Sequence, residues 1–192
     1  MRLASTATIL LALVACVSCG DSEESGESPC KAPMLNAVTA LATVEGQPGV
    51  PITKMIFIDP GPAPVPASFK PITFSAEVQS EDRDQPLVAR VFVDFQIAPN
   101  PLVGGGDVLA PSTCSDVRTI TAQLGPFQLA QTGGCHQVAL VVTHSFDSKT
   151  FQPTSPADTA LLVWWMLIEH EPSSSPAATC PPGAPPPGDA GG

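Results

Sequence analysis

The chain has few histidines, and its three copies are placed where they cannot cooperate. His136 and His144 are separated by eight positions on what reads as one strand, hence by about 26 Å, too far to share a metal ion or a proton. His170 stands between Glu169 and Glu171 at the end of a strand, where an exposed imidazole is the ordinary outcome. A relay of Ser145, Asp147 and a histidine would be the route to acyl transfer, yet no Gly-x-Ser-x-Gly turn surrounds Ser145. Gly104-Gly105-Gly106-Asp107 lacks the Lys and Ser or Thr of a phosphate loop and reads as a flexible turn. Glu81, Asp82 and Asp84 offer closely spaced carboxylates of the kind calcium prefers, although not at EF-hand spacing, and Arg83 offsets part of their charge. The chain therefore reads as non-catalytic and without a cofactor. A small envelope hydrolase and a calcium-dependent binding module are the alternatives.

The six cysteines carry more information. Arg2, an apolar run from Ile9 to Ala15 too short to span a bilayer, and small residues before Cys16 have the layout of a processed secretory peptide. Leu13-Val14-Ala15-Cys16 resembles the signal of bacterial lipoproteins. That resemblance implies lipidation of Cys16 and cleavage before it, giving a signal peptide over residues 1–15. Cys19 is the alternative acceptor, with a cut before residue 19. The choice interacts with parity, because losing Cys16 would leave Cys19 for the lipid and four cysteines able to pair in an oxidising envelope. Neither candidate is followed directly by Asp, which by resemblance to a sorting rule of some Gram-negative lipoproteins favours the outer membrane.

With 18 acidic against 8 basic residues and a net charge of −10, the chain lacks the basic stripe that nucleic-acid binding needs, and attraction to an anionic membrane surface is excluded as well. Membrane attachment would come from acyl chains. After the signal the longest apolar stretch, Thr159 to Ile168, is about half a transmembrane helix. Residues 16–29 read as lipid anchor and acidic linker, a disordered tether rich in Ser, Glu and Gly. Residues 172–192 read as a Pro/Gly-rich tail, extended or disordered, with Cys180 its one fixed point. Residues 30–171 are long enough for one domain with a hydrophobic core.

Inside that domain the period is two. Ile72, Phe74, Ala76 and Val78 alternate with polar residues, and within Leu87 to Ile97 Val91, Val93, Phe95 and Ile97 alternate with Arg90, Phe92, Asp94 and Gln96. His136 to His144 and Thr159 to Ile168 predict two further strands, Met55 to Asp59 an early one, and Val117 to Gln123 and Phe127 to Gln131 weaker ones. Leu35, Val38, Leu41 and Val44, spaced by three, hint at a helical turn. The pattern predicts an all-β, antiparallel β-sandwich. The order of strands, carried by residues 71–78, the acidic loop 81–84, residues 134–142 and residues 159–168, resembles a bacterial immunoglobulin-like domain. The chain contains no Tyr, so the usual tyrosine corner is missing, and no Cys lies on the early strand. Four cysteines permit three connectivities, of which Cys114 with Cys135 and Cys30 with Cys180 are the expected pairs. In the last strand both faces are apolar, and its adjacent tryptophans point to opposite sides. Phe92 on the polar face of its own strand, with Trp164 and Trp165, would then form an aromatic patch, covered by residues 31–50 or docking an envelope protein or ligand. The resulting expectation is a lipid-anchored envelope protein serving binding, adhesion or assembly.

Overall fold

A computed structural model of the protein describes residues 31–45, 47–59, 70–95, 101–111, 117–125, 134–169 and 180. Cys16, Cys19, Cys30, Cys114, His170 and the strand expected over residues 127–131 lie outside them, as do the linker and, apart from Cys180, the tail.

Two sheets face each other. The first orders β3 (Val50–Pro51), β2 (Leu41–Thr43), β5 (Ile72–Gln79), β10 (Val117–Leu124) and β8 (Gly105–Gly106), with β1 (Met34–Leu35) also on β5. The second orders β4 (Ile56–Ile58), β12 (Thr159–Ile168), β11 (Gly134–Thr143), β6 (Leu87–Val93) and β7 (Leu102–Val103), with β9 (Val108–Leu109) also on β6. The pairing is antiparallel except that β4 runs parallel to β12. This is an all-β sandwich of two sheets. Alternation fixes which face goes inward. Ile72, Phe74, Ala76 and Val78 of β5 and Ile120, Ala122 and Leu124 of β10 meet Val138, Leu140, Val142, Trp164, Met166 and Ile168 of the opposite sheet in one core. Trp164 is fully buried there, its ring edge-on to Phe74 at 5.2 Å, and its Nε1 donates to Val50 O at 3.3 Å.

The helical turn expected between Leu35 and Val44 does not form. Two short strands, β1 and β2, flank a turn there. Asn36 anchors that turn: its Oδ1 accepts from Val38 N, and its carbonyl accepts from the Thr39 hydroxyl. Val38 at the tip is 90 % exposed. The triple glycine is likewise not a flexible turn. Residues 102–109 pass from β6 to β10 and back to β6, closing one side of the sandwich. A Cβ on Gly104 would fall 2.2 Å from Gln123 O, and one on Gly106 would fall 1.8 Å from Ala89 O. Glycine is required for that close approach of backbones. Asp107 completes the closure: its Oδ2 accepts from the amide and hydroxyl of Thr121, and its own amide donates to Thr121 O.

Candidate functional site

The end of β11 places His144 just past the buried Thr143, above a 3-10 turn, Pro156–Asp158, that carries the buried Asp158. Asp158 Oδ1 lies 2.5 Å from His144 Nδ1, and Oδ2 accepts from the His144 amide and from the Thr143 hydroxyl, each at 3.1 Å. The carboxylate thereby fixes the imidazole with Nδ1 as the donor, and the Nε2 side faces the loop between β5 and β6, where Asp82 Oδ2 stands 3.9 Å away. The His144 side chain is only 7 % exposed, and Nε2 is a buried atom without a hydrogen-bond partner. Asp82 Oδ2 also accepts from Lys31 N at 2.6 Å, while Glu81 pairs with the Lys31 ammonium. The hydrogen bond to Glu81 and its charge raise that ammonium above its ordinary value of 10.5. Two of the three carboxylates considered for calcium are thus engaged by Lys31. No group of three or more His, Cys, Asp or Glu side chains is arranged to hold a metal ion among the described residues.

The acyl-transfer relay does not assemble around Ser145. Its hydroxyl bonds that of Thr154. Asp147 instead holds a turn, its Oδ1 accepting from Thr150 N at 2.7 Å and Lys149 N at 2.8 Å. Those bonds hold the Asp147 carboxyl below the usual carboxylate value. His136 starts the same strand and is tied to a different carboxylate. Asp94, in a left-handed conformation with φ of 56° at the end of β6, places Oδ2 2.8 Å from His136 Nδ1 and Oδ1 3.0 Å from Gln137 N. Each of these two histidines is paired with its own aspartate, at opposite ends of β11.

The disulfide expectation is corrected. Cys135 is bonded to Cys180, which removes both expected pairs, Cys114 with Cys135 and Cys30 with Cys180. Cys135 lies on the outer face of the second sheet, opposite Leu167 of β12, and Cys180 Sγ is 3.7 Å from Met55 Sδ beside β4. The bridge therefore brings the tail cysteine onto the second apolar face of β12. The aromatic patch is corrected as well. Trp164 belongs to the core, and Phe92, although outside it, is fully buried in a second cluster with Phe95, Ala139 and Val141. Phe95 and Phe146 cover Phe92, at ring distances of 4.7 and 6.1 Å, and Arg90 lies over Phe146 at 4.5 Å. The cover comes from the β11–β12 loop and the segment after β6, not from residues 31–50. Trp165 remains half-buried. Exposed apolar side chains lie on both sheets: Met34 and Val117, both opposite Gln79, on the first, and Phe57, Val108 and Leu161 on the second, with Phe151 beside Arg90 in the β11–β12 loop.

No family model matches the chain, and no curated protein matches it. Among solved structures it is similar to AggA, the major subunit of aggregative adherence fimbriae type I from Escherichia coli. The identity is 11 %, with 73 % of this chain and 97 % of that chain covered and a TM-score of 0.35.

Sequence reasoning singles out His136 and His144 but not their aspartates. Asp94 and Asp158 lie 42 and 14 positions from the histidines they hold, and no local spacing announces either.

Proposed function

We propose that the protein is a non-catalytic, lipid-anchored component of the bacterial cell envelope that binds, adheres or assembles through its sandwich. The observation that carries this reading is the Cys135–Cys180 disulfide, because such bonds persist in oxidising compartments and the N-terminal sequence has the form of an export signal ending in an acylated cysteine. The acyl chains hold the module at a membrane, the outer one by the sorting resemblance, and the acidic linker gives it reach. The described histidines support the same reading, since each is held by an aspartate that fixes the ends of strands. We place the binding face at the exposed Met34 and Val117 of the first sheet and at Val38 on the turn beside them, rather than at the buried Phe92 and Trp164.

The test is metabolic labelling with an alkyne fatty acid in a bacterial host, combined with intact mass before and after reduction and thiol alkylation. Labelling lost in Cys16→Ser and kept in Cys19→Ser, with Cys135 and Cys180 alkylated only after reduction, is the expected result. An unlabelled wild-type chain, or Cys135 and Cys180 thiols free before reduction, overturns it.

A further inference from the structure

Neutral His144, with its Nδ1 proton donated to Asp158, presents a bare Nε2 to the Asp82 carboxylate. An Nε2 shielded from water and without a hydrogen-bond partner then faces a second acceptor 3.9 Å away on a side chain 27 % exposed, which is an unfavourable arrangement for the ring nitrogen. A proton on Nε2 reverses it, since an imidazolium donating to Asp158 attracts the Asp82 carboxylate and can donate to it once the loop moves within hydrogen-bond distance. The groups facing the ring are Asp158 on the 3-10 turn and Asp82 on the β5–β6 loop, and beside Asp82 the exposed Glu81 and Lys31 pair with each other. Arg83 and Asp84 are exposed on the same loop. Asp82 is the shared link, because the oxygen that faces His144 also receives the Lys31 amide.

We propose that His144 is a proton-operated latch: protonated at Nε2, it draws the β5–β6 loop and the Lys31 segment onto the end of β11, and deprotonated, it releases them. The device is independent of the lipid anchor. It acts at the point where the N-terminal segment meets the sandwich, so mild acid restricts the exit of the chain and mild alkali frees it.

Amide hydrogen exchange of the full chain, in chelator, reads the latch directly. Between about pH 8 and about pH 5.5, protection of Lys31 and the β5–β6 loop, corrected for intrinsic exchange, rises in the wild type. The expected rise is about fivefold, the weight of one charge-assisted pair near a surface. Asp82→Asn keeps an acceptor oxygen for the Lys31 amide but removes the charge, and His144→Gln removes the titrating ring. Both are expected to lose the pH dependence. Asp82→Asn leaves Asp158 with its partners and Asp94 with His136, so it folds normally and separates this histidine from the other. Equal protection at both pH values in the wild type, or an unchanged rise in Asp82→Asn, overturns the proposal.

Discussion

Gly106 shows how much a single position can decide in this fold. A methyl group there would sit inside the van der Waals shell of Ala89 O, whereas nothing lies within 4 Å of the corresponding point on Gly105. Gly106→Ala must push β8 away from β6 and loosen the Asp107 bonds to Thr121, so we expect a loss of about 1–3 kcal/mol, the usual cost of overpacking. Gly105→Ala, the adjacent control, should change stability by less than about 1 kcal/mol. Chemical denaturation of the two variants beside the wild type measures the difference. Equal destabilisation of both would mean that backbone freedom rather than close approach explains the glycines. The polar residues obey the same logic of local satisfaction. Asp158, Asp94, Asp107 and Asp147 each answer backbone or hydroxyl donors that the chain reversals would otherwise leave open.

At the scale of elements, the Cys135–Cys180 bridge ties the tail cysteine to the outer face of the sheet that β12 completes. Its sequence separation of 45 corresponds to about 4 kcal/mol in the chain-entropy treatment. The Cys135→Ser, Cys180→Ser double variant should therefore unfold with a free energy lower by about 2–4 kcal/mol, and denaturant titration in the absence of reductant checks it. A change under about 0.5 kcal/mol would mean the bridge closes a chain already held there by packing. The strands themselves were legible where a face alternates with polar residues or where an apolar run is bounded by turns. Ile72 to Val78 alternates cleanly and forms β5, and Thr159 to Ile168 forms β12 with the expected ends. Residues 117–124 read weakly because small Ala122 stands among threonines, yet they form a full eight-residue partner of β5. The spacing of three from Leu35 to Val44 misled because a turn separates two short strands, and a turn can imitate a helical period over ten residues. The pairing of Cys135 was not legible, since cysteine count leaves three connectivities open. Nor was the contact of His144 with Asp82 and Asp158, which only the meeting of three chain segments creates.

The whole molecule carries a net charge of −10, and among the described residues the Lys31–Glu81 and Lys70–Glu45 pairs are well exposed. Two electrostatic effects therefore compete when salt is added. Exposed pairs contribute about 0–1 kcal/mol each and weaken as the screening length falls to about 10 Å at 0.1 M. Unbalanced acidic charge repels itself across the compact fold and is relieved by the same screening. With an excess of ten negative charges and exposed pairs worth little each, repulsion is expected to outweigh the local attractions. The melting temperature should rise as sodium chloride goes from about 0.02 M to about 0.3 M, and a fall would show that local pairs outweigh the excess charge. Calcium chloride at matched ionic strength extends the measurement to the acidic loop. Lys31 already occupies Glu81 and Asp82, so calcium should raise the melting temperature no further than general screening does. A distinctly larger rise, abolished in Asp84→Asn, would mean that the ion displaces Lys31 and that the loop is a cation site.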